Sequence, residues 1–165
     1  MSMVNAFSKD STSYVLSIKK KNLFGKRSFI VLDAFNKKKY NIKTDMISFG
    51  YPCIRLYDVE ENEIGSVELA SKVGLGTYTV SLGGKKLGTI SRKMSVKLKM
   101  EISFNGWRLD EDIIQSTFIV TDKNGNRVMK FNSTQSTYDT CVLEINNREH
   151  EIMGLLLVMV IKIAS

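Results

Sequence analysis

The run Ile152-Met153-Gly154-Leu155-Leu156-Leu157-Val158-Met159-Val160-Ile161 is apolar on every side, so a helix built from it has no face to offer to water. It must be enclosed. A bilayer crossing takes roughly 20 apolar residues at about 1.5 Å of rise each. Lys162 ends this run at about half that length, which favours burial inside the protein over insertion in a membrane. Ile152, Leu155, Leu156, Leu157, Val158, Met159, Val160 and Ile161 are therefore the expected contacts of a buried C-terminal helix. Asn146 or Asn147 can cap it, and Glu149 follows Asn146 at the spacing of a capping box. His150 then falls in the first turn as a solvated residue.

Everything before this helix reads as short strands. Four segments align with one another: FIVLDAFNKKKYNIKTD from Phe29, IRLYDVEENEIGSVELA from Ile54, YTVSLGGKKLGTISRK from Tyr78 and FIVTDKNGNRVMKFNST from Phe118. Each is strand, polar turn, strand. Asp58 and Asp122 end first strands, while Asn124-Gly125 and Gly83-Gly84 suit the left-handed backbone of tight turns. Val96, Leu98 and Met100 alternate with Lys97, Lys99 and Glu101, the period of two expected of a half-buried strand. With Tyr14–Lys21, Ser95–Phe104, Trp107–Leu109 and Thr140–Ile145 added, about twelve strands precede the helix. Closing them into one antiparallel barrel removes exposed edges and supplies an apolar lumen for the helix. The fold class expected is mainly β, a closed barrel around a buried C-terminal hydrophobic helix, with residues 1–13 a flexible N-terminus and 14–165 a single domain.

The repeated hairpins of the form I-x-x-x-D-x-x-x-x-x-I-G-x-V, the segment Thr137-Tyr138-Asp139-Thr140-Cys141-Val142-Leu143-Glu144-Ile145 and the closing apolar helix resemble the LURP-one-related family. That family belongs to the wider group of tubby C-terminal-like and phospholipid scramblase-like domains. The resemblance covers the chain from about Tyr14 onward and implies a barrel of about twelve strands with the helix through its middle. Tubby domains bind phosphoinositides and scramblases act at membranes, so it also points toward lipid. The proline-rich leader and cysteine cluster of scramblases have no counterpart, and scrambling activity is not carried over.

Catalytic readings find little support. A single histidine, His150, and two distant cysteines, Cys53 and Cys141, cannot form a zinc cluster or a histidine-assisted nucleophile. The thiols are expected to be free and buried, as in a reducing compartment. Gly74-Leu75-Gly76 leads into a strand rather than a phosphate-holding helix, and Gly83-Gly84-Lys85-Lys86 lacks the P-loop spacing. Asp110-Glu111-Asp112 reads as a solvated loop and not as a calcium loop. Asn132-Ser133-Thr134 matches a glycosylation acceptor only where a secretory signal exists, and none is recognised. Met94, Met100, Met129, Met153 and Met159 fall on apolar periods as core filler. No enzyme, cofactor or metal is expected.

Charge is more informative. The net +7 is unevenly spread: residues 1–45 carry ten Lys/Arg against three Asp/Glu, 46–75 two against five, 76–105 six against one, and 106–165 six against eight. The first basic block holds Lys19, Lys20 and Lys21, then Lys26-Arg27, then Lys37, Lys38 and Lys39, with Phe24, Phe35 and Tyr40 as strand or loop anchors. Gathered at one end of a barrel, these lysines would form a basic rim able to attract anionic headgroups. The expectation is a non-enzymatic, monomeric, cytoplasmic module, peripheral at membranes, that recognises an anionic partner such as phospholipid. A structural or regulatory protein-interaction domain is the alternative. Nucleic acid could meet the same charge, though no stacking platform accompanies it.

Overall fold

A computed structural model describes residues 13–23, 26–47, 51–71, 76–93, 99–112, 117–132 and 140–164. The strands are β1 (Tyr14–Leu23), β2 (Lys26–Leu32), β3 (Lys38–Ile47), β4 (Tyr51–Tyr57), β5 (Glu63–Ser71) and β6 (Thr77–Leu82). They continue as β7 (Lys85–Lys93), β8 (Lys99–Ile102), β9 (Arg108–Asp112), β10 (Thr117–Thr121), β11 (Arg127–Asn132) and β12 (Thr140–Ile145). A 3-10 turn, Arg148–His150, leads into helix α1 (Glu151–Ala164). Each strand pairs with its neighbours in sequence, and β1 pairs antiparallel with β12, so the sheet closes on itself as expected. Because the strands run alternately up and down, the β2–β3, β4–β5, β6–β7, β8–β9 and β10–β11 connections share one end with the entry of α1.

Three of those turns are built alike. Asp33, Asp58 and Asp122 each end a strand, and each Oδ1 accepts hydrogen bonds from backbone N–H groups two and four residues on, at 2.9–3.0 Å. The residue three after the aspartate is left-handed in every case: Asn36 and Glu61 at φ 65°, Gly125 at φ 81°. The extra residue each turn inserts shifts the strand register at Val31/Leu32, Leu56/Tyr57 and Val120/Thr121. Asp33 does in the first hairpin what the sequence suggested for Asp58 and Asp122.

Helix α1 fills the lumen. Leu155 through Ile161 are all 2% exposed or less, and inward residues of the strands, among them Leu16, Ile18, Leu56, Val67, Ile90 and Leu143, close around them. At about 1.5–3 kcal/mol for each fully buried large apolar side chain, these seven helix residues contribute on the order of 10–20 kcal/mol of gross burial. That matches or exceeds the whole net stability of about 5–15 kcal/mol typical of a domain. Room for the helix comes from glycine: a Cβ on Gly65 would sit 2.9 Å from Leu156 Cδ1, and one on Gly154 3.1 Å from Met129 Sδ. Gly65 is the glycine of the I-G-x-V motif, here Ile64-Gly65-Ser66-Val67.

Local details differ from expectation. Ile152 and Met153 are half-buried rather than enclosed, because the first turn of α1 lies at the barrel mouth. The cap is Asn147, whose Oδ1 accepts from Glu149 N at 3.2 Å, and it opens the 3-10 turn that contains His150. Asp110, Glu111 and Asp112 lie on β9 and not in a loop. Met100, Met129 and Met159 are core residues, as their periodicity indicates. Cys53 and Cys141 are free and buried. Residues 1–12, Phe24, Gly74-Leu75, Met94 to Leu98, Ser133-Thr134 and Thr137 to Asp139, all noted from the sequence, lie outside the described residues, as do the side chains of Lys26 and Arg27. Among the described residues no helix is long and apolar enough to cross a membrane.

Candidate anion-binding face

Strand alternation sorts the sequence's lysines. β1 turns Leu16 and Ile18 inward, so Lys19 and Lys21 project from the outer surface, opposite Ile30 and Ser28 of β2. Lys20 shares the inward parity and lies opposite Phe29. Lys37 and Lys38 are exposed at the β2–β3 turn, near the helix-entry end, while Lys19 to Lys21 lie toward the other end of β1. A single rim is therefore not formed. Lys21, Lys38 and Lys43 instead line one groove that runs across the outside of β1, β2 and β3.

These three lysines line a groove of about 200 Å³ whose floor includes Ser28, Ile30 and Asn41. The register explains it: Lys21 stands opposite Ser28, Ser28 opposite Lys43, Ile30 opposite Asn41, and Leu32 opposite Lys38. Small Ser28 leaves the depression, its Oγ turned to donate to Lys21 O at 2.9 Å. Among the described residues, Lys21 and Lys38 pair with no carboxylate, whereas Lys43 Nζ lies 3.1 Å from Glu61 Oε2 and 4.7 Å from the Tyr57 ring centroid. Both partners of that ion pair are about half exposed, so it is weak enough for a stronger anion to displace. Runs of lysine in the sequence pointed to Lys37, Lys38 and Lys39. Lys43 stands alone in the chain, and only its outward parity with Asn41 could have revealed it.

Lys39 belongs elsewhere. As the extra residue of the β3 register shift it turns into the barrel mouth, and its Nζ is 2.7 Å from Glu151 Oε1. Glu151, 7% exposed, opens α1, so its carboxylate also faces the positive end of the helix dipole. Tyr14 and Tyr40 border the pair, with Lys39 Nζ 5.7 Å from each ring centroid. Burial, then the Glu151 charge, raises both phenols, Tyr40 to about 12 and Tyr14 further. Both phenol hydroxyls are directed at the Glu151 carboxylate. This cluster fixes the helix in the mouth. At the other end of α1, Lys162 Nζ sits 5.5 Å from the Phe29 ring centroid, its stem covering apolar wall.

Phe35 departs from its expected role. It anchors nothing and is 91% exposed at the tip of the β2–β3 turn. Gly83 and Gly84, at φ 55° and 79°, make the tight hairpin foreseen for them and no phosphate loop. Among the described residues, no three His, Cys, Asp or Glu side chains gather as metal ligands would.

A twelve-strand barrel threaded by an apolar helix, with a basic groove on its outer wall, defines the structural class. The LURP-one-related family model matches residues 14–162, and the chain belongs to that family. In fold it is similar to the crystal structure of an Arabidopsis thaliana protein, with a TM-score of 0.62 at 14% identity over 92% of this chain and 93% of that one. No relative among curated proteins matches the chain. The family and the barrel are compatible with a non-enzymatic binding module.

Proposed function

We propose that this protein is a non-enzymatic module that recognises anionic phospholipid headgroups through the outer face of β1, β2 and β3. The observation that carries the reading is the groove lined by Lys21, Lys38 and Lys43 together with Ser28 and Asn41. Three lysines along one groove suit a phosphate: they supply charge, and the Asn41 amide, with one of its two N–H groups directed to Glu61, has a second to offer as a directional hydrogen bond. Lys19 extends the charge along β1, and Lys37 extends it at the turn.

Near an anionic surface each lysine contributes about 1 kcal/mol, falling off within a Debye length of about 8 Å at physiological salt. Replacing Lys21, Lys38 and Lys43 together with alanine should thus weaken binding by about 3 kcal/mol, a loss of over a hundredfold. Flotation with vesicles of phosphatidylcholine alone, and of phosphatidylcholine with phosphatidylserine, tests this at physiological salt. Selective recovery with the anionic vesicles, abolished in the triple variant, supports the reading. Equal recovery with both kinds of vesicle removes it.

A further inference from the structure

We infer that Phe35 is a membrane-insertion residue, entering the boundary between headgroups and acyl chains while Lys37 and Lys38 remain at the level of the phosphates. This rests on the phospholipid-binding reading of the β1–β3 face and adds to it a depth and an orientation. Isolated surface hydrophobics are ordinary. Phe35 differs in how far it is exposed and in what flanks it. Its exposure is 91%, against 60% for Val59 and 38% for Val15, the other large apolar side chains exposed among the described residues.

The turn that carries Phe35 is bolted from below. Asp33 Oδ1 accepts from Phe35 N and Lys37 N, both at 2.9 Å, and Asp33 N donates to Lys37 O at 2.8 Å. Asn36 N donates to Asp33 O at 3.0 Å, with Asn36 in the left-handed region. The ring is therefore presented on a fixed backbone, so little ordering entropy opposes its insertion. Lys37 and Lys38 follow directly, both exposed and, among the described residues, neither paired with a carboxylate. An aromatic tip above cationic shoulders is the pattern that suits a bilayer interface. Lys38 belongs to both features, since it lines the groove as well.

Acidic residues on the neighbouring β4–β5 turn select Phe35 over Val59 as the point of entry. Glu61 is drawn back along the barrel wall toward Asn41 and Lys43, at 3.3 and 3.1 Å, whereas Glu60 stays exposed directly beside Val59. The barrel would then meet the membrane on the corner formed by the β2–β3 turn and the groove.

Partition onto phosphatidylcholine/phosphatidylserine vesicles, measured for the wild type, Phe35→Ala and Phe35→Trp at low and high salt, tests the inference. Phe35→Ala should lower partition about tenfold at both salt concentrations, since apolar burial is not screened, and should leave the salt slope unchanged. Phe35→Trp should bind as the wild type does, and lipids brominated in the upper acyl chain should quench its emission. The wild type gives the baseline, because Trp107 is 4% exposed and sealed from lipid. Equal partition of Phe35→Ala and the wild type, or no added quenching in Phe35→Trp, overturns the insertion while leaving the groove reading intact. A wild type that ignores anionic vesicles overturns both.

Discussion

Removing the Lys39 ammonium while keeping its stem, as in Lys39→Met, leaves the Glu151 carboxylate in the barrel mouth without its counter-ion. The pair is 2.7 Å apart, with side-chain exposures of 29% for Lys39 and 9% for Glu151. Breaking a fully buried pair from one side costs about 3–5 kcal/mol. Here the lysine end is reached by water, and the helix dipole offsets the stranded charge by about 0.5–1 kcal/mol. The expected loss is about 2 kcal/mol, which for a chain of this size lowers Tm by about 4–8 °C. Lys39→Met with Glu151→Gln removes the charge that was stranded and should recover all but about 1 kcal/mol. Thermal unfolding followed by circular dichroism and calorimetry on the four members of the cycle gives the coupling. A single variant that melts with the wild type, or a double variant whose losses simply add, would refute the view that this pair pins the helix.

Two further outcomes follow from the same core. Leu156→Asp should abolish cooperative folding, because its carboxylate would be buried with no partner in an apolar lumen; a soluble variant with a sharp melt near the parent's contradicts this. Stability should also fall on the alkaline side: the unfolded chain releases phenol protons at the ordinary value of 10, while folded Tyr40 holds its proton to about 12 and Tyr14 beyond. The tyrosine contribution is thus intact below pH 10 and lost as pH rises through 12. Urea midpoints across that range should slope less steeply in Tyr40→Phe, and an unchanged slope would count against the shift. At the acid end, Asp58 and Asp122 are held below their ordinary 3.8, first by backbone N–H groups, so their contribution is present above that pH and lost as it falls.

The barrel was legible because its two strongest demands are written locally. An all-round apolar run has only one kind of environment open to it, and repeated hairpins with Asp58, Asp122 and Asn124-Gly125 mark strand ends whatever the tertiary context. The site was less legible, since convergence is a property of register. Lys39 looks like its neighbours in the sequence, yet the inserted residue of the Asp33 turn sends it inward to Glu151, 112 residues away. Lys21 and Lys43 border one groove only because both stand opposite Ser28, a pairing no run of charge records. Phe35 reads as a loop anchor until the turn geometry shows that nothing packs on it.

An anionic headgroup bound to one particular wall of the barrel perturbs the amides of that wall, and their shifts report its location directly. Dihexanoyl phosphatidylserine, kept below its critical micelle concentration, can be titrated into the isotopically labelled 165-residue chain. Saturable shifts are expected at Lys21, Ser28, Ile30, Asn41 and Lys43, with small ones at the distant Gly83-Gly84 turn, and their loss in the triple lysine-to-alanine variant. Shifts centred elsewhere on the barrel, or unchanged in that variant, would contradict binding at this wall.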